Sequence, residues 1–390
     1  MDERYLGIWI RQERLARNWS QEGLCKGVCA VSYLSKIEQG KCNPAPEVLR
    51  CLFDRLEIEW IEEPETLRRL DRLIDGLYDA VFSADKERWG TLSQQLSESW
   101  ETCRRTPFLL DGTLLLIWCG KMENPGDLGQ YEGLMDERQQ TLFLDICERY
   151  DDLVRLHPGA FSFYTAGLYA YEKGSFSQAH EYLSRGYSLA AEEGRAFLML
   201  ECRVFLGNCC SNMGDLPRMN AHYQVARRLA QALKTPDAES IIRNIDYNIA
   251  STRLELGETE AAYGYFSRLE NPSVMALHKL AICCEKLGKR EEALAALDRA
   301  ETAVDCLPPE LGREICALVR YRLEHSDYLH DPAYGEKLLS CFEEMRRTLP
   351  SGYAGFHLPW VLEWYTENRL YKEAYQLLLD FPACMQNMAL

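Results

Sequence analysis

Apolar residues in this chain recur at three- and four-residue intervals, and strict alternation with period two is absent. The pattern predicts an all-α protein. Leu6, Ile10 and Leu15 with Trp9 mark a first helix over about 4–17, which Asn18-Trp19 ends. Ser20 is a candidate N-cap for a short second helix, 21–26, stopped by Gly27. A third helix runs over about 30–39, with Leu34 and Ile37 turned inward and Gly40 as its left-handed stop. Pro44 and Pro46 punctuate the loop before a fourth helix, 47–56.

After Pro64 the pattern repeats. Gly174, Gly214, Gly257 and Gly288 each close a helix of about a dozen residues. Seven positions before them stand Gly167, Gly207, Ala250 and Ala281; five after stand Ala179, Met219, Ala262 and Ala293. Nine after come Leu183, Tyr223, Phe266 and Leu297. Small residues let paired antiparallel helices approach, and the large ones fill the space between them. No such pair buries its apolar face alone, so the pairs must stack. A further unit, Val361 to Phe381, carries Tyr371, Ala374 and Leu378 at matching offsets, and less regular pairs fill 65–155 and 311–350. Three parts are therefore expected: a head, 1–60; a linker, 61–68; and a repeat domain, 69–390.

Composition changes this picture in two ways. The net charge of −16 argues against a polyanionic partner, but residues 1–60 hold nine basic and nine acidic side chains, so all the excess acid lies beyond the head. An acidic body is repelled by phosphate and favours a neutral or cationic ligand over an acidic one. The 16 cysteines are scattered beside apolar residues without CxxC spacing, and read as buried, reduced thiols. Cys25 and Cys29 are four apart, but a turn is expected between them, so they do not form a metal pair. The longest strongly apolar run, Leu114 to Cys119, is far short of the roughly 20 residues that span a bilayer. With no signal peptide at the N-terminus, a cytoplasmic protein without membrane contact is expected. Phosphate loops, HExxH, GxSxG and GxGxxG are absent and the seven histidines are dispersed, so no enzyme, cofactor or metal site is expected.

Two short helices joined by a tight turn, the second exposing Ser32, Tyr33 and Lys36, suit docking in a DNA major groove. The string Ser20, Gln21, Leu24, Ser32, Ser35, Ile37, Glu38, Gly40, Pro44 resembles the Cro/repressor-type (XRE) helix-turn-helix over about 55 residues. That resemblance implies a phosphate contact for Gln21 and base or backbone contacts for Val31, Ser32, Tyr33 and Lys36, with Lys41 at the edge of the same face. It implies a structural tie between Arg14 and Glu38. Val31 departs from the polar residue many relatives carry there; a valine contacts only a thymine methyl.

The glycine spacings of 40, 43 and 31 lie around the roughly 34 residues of a tetratricopeptide (TPR) repeat, and the body resembles a degenerate TPR-like α-solenoid. In peptide-binding TPR proteins, asparagines six and nine residues before the glycine clamp a peptide backbone or its terminal carboxylate. Asn208 and Asn248 fall on those offsets, with Asn212 and Asn244 beside them. Asparagine offers both a donor and an acceptor, as such a clamp needs. Lys279 and His278 would complete a carboxylate site, and Tyr164, Tyr171, Tyr247 and Glu255 would line the groove. An XRE head on a TPR body resembles the RRNPP regulators of Gram-positive bacteria, as does the shortened link Gly27–Ser32. That implies a homodimer binding double-stranded operator DNA and a short signalling peptide. Two other readings compete: a regulator whose body docks a protein partner instead of a free peptide, and a phosphatase acting on a response regulator. The second needs a water-orienting Gln or carboxylate, and none stands out in 65–155.

Overall fold

A computed structural model describes residues 4–124, 128–234, 238–303 and 307–380; among them there is helix and no strand. The expected end of the last repeat, Phe381, lies outside the described residues. None of the described helices is long and apolar enough to cross a membrane. The described cysteines are free thiols, mostly buried. The chain divides into two compact units, Met1–Thr165 and Ala166–Leu390.

The first unit opens with α1 (Arg4–Ala16), α2 (Gln21–Cys25), α3 (Val31–Glu38) and α4 (Pro46–Arg55), each within two residues of its sequence-predicted bounds. Ser20 caps α2, accepting from the Gly23 amide at 3.0 Å. Gly27 and Gly40 take φ of +77° and +61°, the left-handed region that ends helices. One detail differs from the sequence reading. Leu15 is exposed and Arg14 takes the buried position instead. Five residues past Ile10 is off the apolar face of a 3.6-residue helix.

The unit continues with α5 (Pro64–Phe82), α6 (Lys86–Glu98), α7 (Trp100–Cys103), α8 (Leu109–Trp118), α9 (Glu137–Ile146), α10 (Tyr150–Leu156) and α11 (Ala160–Glu172), the last of which crosses into the second unit. Where the sequence suggested a linker at 61–68, the Ile61 amide donates to Arg105 O at 2.8 Å and α5 begins at Pro64. Tyr5 donates to Pro107 O at 2.8 Å, and one core runs from Tyr5 and Leu6 through Leu77 and Leu115 to Leu144. The head therefore shares its core with the helices that follow it.

The second unit pairs α12 (Phe176–Glu192), α13 (Ala196–Asn212), α14 (Leu216–Leu233), α15 (Ala238–Glu255), α16 (Thr259–Phe266), α17 (Val274–Lys286) and α18 (Arg290–Ala300), then α19 (Pro309–Glu324), α20 (Pro332–Thr348), α21 (Ser351–Glu367) and α22 (Tyr371–Asp380). The four repeat glycines all have positive φ, +70° to +83°. The small–large rule has a direct cause. A Cβ on Gly207 would lie 2.2 Å from the Tyr223 ring, and one on Gly167 would lie 2.7 Å from Leu183. The first helices of successive pairs also touch each other, α13 to α15, α15 to α17 and α17 to α19, which gives the unit one continuous inner face.

The last pair keeps the offsets but not the burial. Arg369 occupies the glycine's place at φ +59°, Tyr371 is 62% exposed, and Leu377 rather than Leu378 is buried. Trp360, Trp364 and Tyr365 are half-buried. Trp364 lies over Gly335, where a Cβ would sit 2.1 Å from its ring, and Trp360 packs on His278 and Arg322.

Candidate DNA-reading face and inner groove

Leu34 and Ile37 anchor α3, and a Cβ on Gly7 would lie 1.9 Å from Ile37 O, so α1 and α3 meet backbone to backbone. Glu38 stands between them. Its carboxylate accepts from Arg14 Nε at 2.6 Å, Arg14 Nη2 at 2.9 Å and Gln21 Nε2 at 2.7 Å. Arg14 Nη1 also donates to Trp19 O at 2.6 Å. The hydrogen bond to Glu38 raises the Arg14 pKa above its ordinary value. One buried, bidentate pair therefore holds helix 1, the turn after it, helix 2 and helix 3 together.

This lattice leaves Val31 (43% exposed), Ser32 and Lys36 on the outer face of α3, with Lys41 exposed just beyond it. Two other sequence candidates are held inward. Gln21 is bound to Glu38, and Tyr33 is half-buried, its hydroxyl accepting the Ala45 amide at 3.1 Å. Tyr33 braces the loop to α4.

On the inner face of the second unit, α13 and α15 bring Asn208 and Asn248 together with a third residue, Tyr223. Tyr223 donates to Asn208 Oδ1 at 2.7 Å and Asn248 Nδ2 donates to the same oxygen at 3.0 Å. The Tyr223 hydroxyl lies 3.3 Å from Asn248 Nδ2. Asn208 Nδ2 and Asn248 Oδ1 have no hydrogen-bond partner among the described residues. Flipping both amides exchanges the roles but still leaves one donor and one acceptor. A peptide group needs that pair. In sequence Tyr223 reads only as a spacer; its one signal is a hydroxyl at a position where the other repeats carry Leu183, Phe266 and Leu297.

The neighbours extend this array. Asn212 Nδ2 donates to Asn208 O at 2.9 Å and to the Tyr171 hydroxyl at 3.3 Å, and Asn244 is exposed one turn before Asn248. Lys279 is 6% exposed; its Nζ donates to Ser251 Oγ at 2.7 Å and lies over the Tyr247 ring at 5.0 Å and the Phe356 ring at 4.4 Å. No carboxylate forms an ion pair with it among the described residues. Burial lowers its pKa to about 8, with Glu255 opposing the shift. Buried cations are ordinarily paired, so this ammonium suits a carboxylate ligand.

His278 does not belong to that site as expected. It is fully buried, and its Nε2 lies 3.0 Å from His357 Nε2. Since His357 Nδ1 faces Tyr353 O at 2.9 Å, it must carry the proton there; His357 Nε2 then accepts from His278 Nε2. Tyr164 is likewise buried.

The covering element is α21. Ser351 lies against Gly174, Gly352 against Asn212, Phe356 over Lys279, His357 on His278 and Trp360 over Arg322. One helix of the chain thus meets three of the residues assigned to a peptide, Asn212, Lys279 and His278.

The histidine pair gives the second unit an acid limit. Burial, with Lys279 and Arg322 adding repulsion, lowers His357 from 6.5 to about 4 and His278 well below 6.5. Between those values the unfolded chain binds more protons, so stability is full above pH 6.5 and falls as pH drops toward 4. Each histidine contributes up to roughly 1.4 kcal/mol per pH unit in that window. Melting curves at pH 7 and pH 5 should show a fall that His357→Gln reduces; an equal fall in that variant contradicts the assignment.

These features define a class: an all-α chain with a helix-turn-helix head and a TPR-like α-solenoid. Residues 10–60 match the Helix-turn-helix family model, and the head is a DNA-binding domain of the XRE type. No curated protein matches in sequence. Among solved structures, a Rap protein complexed with competence and sporulation factor is 14% identical, covering 82% of this chain and 99% of that one, with a TM-score of 0.53. The apo form of the quorum sensor NprR from B. thuringiensis is 14% identical over 80% of this chain and 99% of its own, with a TM-score of 0.52. PlcR of Bacillus thuringiensis, in complex with the peptide PapR7 and DNA, aligns over 95% and 98% of the two chains at 16% identity, but its TM-score of 0.25 is too low to carry a comparison. The resemblance to RRNPP regulators read from sequence is thus matched in fold by Rap and NprR.

Proposed function

We propose that this chain is a dimeric, cytoplasmic transcription regulator whose repeats sense a short peptide and reposition the helix-turn-helix heads on operator DNA. The observation that carries the sensing half is the Asn208–Tyr223–Asn248 array, which leaves one donor and one acceptor beside the unpaired Lys279. The peptide backbone would bond the two asparagines and its terminal carboxylate would meet Lys279. The chain beyond residue 60 carries all the excess acid, which favours a peptide otherwise neutral or cationic. Because α21 lies against Asn212 and Lys279, a peptide reaching from the asparagines to Lys279 must shift it or share the groove with it. Such movement is how a ligand could bind two arrangements with different affinity, as a switch requires. The fold shared with NprR, a quorum sensor, supports this reading. A dimer has a candidate surface in Tyr371, Tyr375 and Leu379, an exposed stripe at four-residue spacing on α22.

In the full chain, Asn208→Ala or Asn248→Ala should weaken binding of a peptide encoded beside the gene by roughly tenfold, near the worth of one hydrogen bond. Operator affinity without peptide should not change. Lys36→Ala should do the reverse, weakening operator binding and leaving peptide binding intact. Loss of both activities in either variant would contradict separable sites.

A further inference from the structure

The seven histidines are dispersed along the sequence, yet the fold gathers two of them around a thiol. His180 on α12, Cys210 on α13 and His222 on α14 each place one ligand atom within 4.8 Å of the others. Cys210 is fully buried and both imidazoles are half-buried, their ring centroids 5.6 Å apart. His180 Nε2 is buried and has no hydrogen-bond partner among the described residues. Buried polar atoms are rarely left so, and a metal bond satisfies a lone pair as a donor would. Asp215, the N-cap of α14, stands close enough for its charge to act on all three residues, although its oxygens are engaged by Arg218 at 3.0 Å and 2.5 Å.

We propose that His180, Cys210 and His222 form a site for a thiophilic divalent ion, zinc being the ion of choice. One thiolate with two imidazoles suits zinc, and three protein ligands leave a fourth position for water or Asp215. Zinc bonds run about 2.0–2.3 Å, so the three side chains must close by about 1 Å, a rotamer adjustment. Two cations oppose the ion. Arg218 lies on Asp215, and Arg203 donates to His222 Nδ1 at 2.9 Å while stacking on Tyr187 at 3.9 Å. Since an arginine only donates, His222 carries its proton on Nε2 in the metal-free chain. Ligation through Nδ1 displaces Arg203; ligation through Nε2 moves the ring proton to Nδ1 and turns Arg203 away. In either case the Cys210 thiol loses its proton to solvent as the metal–sulfur bond forms, and no redox change occurs. The ion would clip three consecutive helices. Cys210 lies two residues from both Asn208 and Asn212, on the opposite side of α13, so occupancy would fix the helix that presents those asparagines. The site itself does not depend on the peptide reading.

The test uses the full chain, freed of metal by a chelator and titrated with cobalt(II) alone, then with zinc. One equivalent of cobalt should produce a thiolate-to-metal charge-transfer band with tetrahedral ligand-field bands, and zinc should abolish both. Cys210→Ser should lose the charge-transfer band, His180→Gln and His222→Gln should weaken binding roughly tenfold or more, and Cys283→Ser should match wild type. Should a variant fail to fold, X-ray absorption on the zinc-loaded wild type decides, with one sulfur and two imidazoles expected. No charge-transfer band in the wild type, a band surviving Cys210→Ser, or a shell without sulfur would overturn the proposal.

Discussion

Glu38→Ala should unfold the head or leave it barely folded, a loss of about 3–5 kcal/mol. Removing the carboxylate leaves the Arg14 guanidinium buried with one remaining partner, the Trp19 carbonyl, and frees Gln21 from its acceptor. An uncompensated buried charge is far more damaging than the loss of the pair itself. The double variant Arg14→Met, Glu38→Leu should therefore recover much of the stability. Thermal melts of the full chain check this, with operator binding as a second readout. Because the head shares a core with α5–α10, its melting should be coupled to theirs. A Glu38→Ala change within about 1 kcal/mol of wild type would mean the pair is no better than a surface ion pair.

Gly207→Val should be nearly as damaging to the second unit. Even the Cβ would stand 2.2 Å from the Tyr223 ring, which is buried and has no room to retreat. Overpacking of this kind typically costs about 1–3 kcal/mol, and a β-branched residue adds to it. The effect should also be chemical. Pushing Tyr223 aside removes the hydroxyl that orients Asn208, so peptide affinity should fall even at temperatures where the variant is folded. Gly264→Ala, at a position with open space around the added carbon, is the control and should be neutral within about 1 kcal/mol. Equal stability of the Gly207 and Gly264 variants would contradict the packing account.

Much of the fold was legible in sequence because glycines and small residues carry it. Gly40, Gly174 and Gly214 are needed for positive φ, and Gly7, Gly167 and Gly207 for close approach, so their spacing reports helix ends and pair contacts directly. The head was readable for another reason: Glu38 and Arg14 occupy motif positions, and the structure brings them together. The groove was legible only in part. Offsets placed Asn208 and Asn248 on adjoining helices, but nothing local reveals that α21, about a hundred residues on, lies along the same face. For that reason His278 resembles a ligand beside Lys279 in sequence, whereas His357 converts it into core. His180, Cys210 and His222 are separated by 30 and 12 residues and fit no ligand spacing; only the stacking of three helices unites them.

The sensing role is tested most directly by hydrogen exchange on the full chain, with and without peptides encoded beside its gene. Protection should appear in α13 around 208–212 and in α15 around 244–252, and exchange in α21 should change with it. An unchanged map with a peptide that alters operator affinity would contradict the account, as would protection confined to other helices.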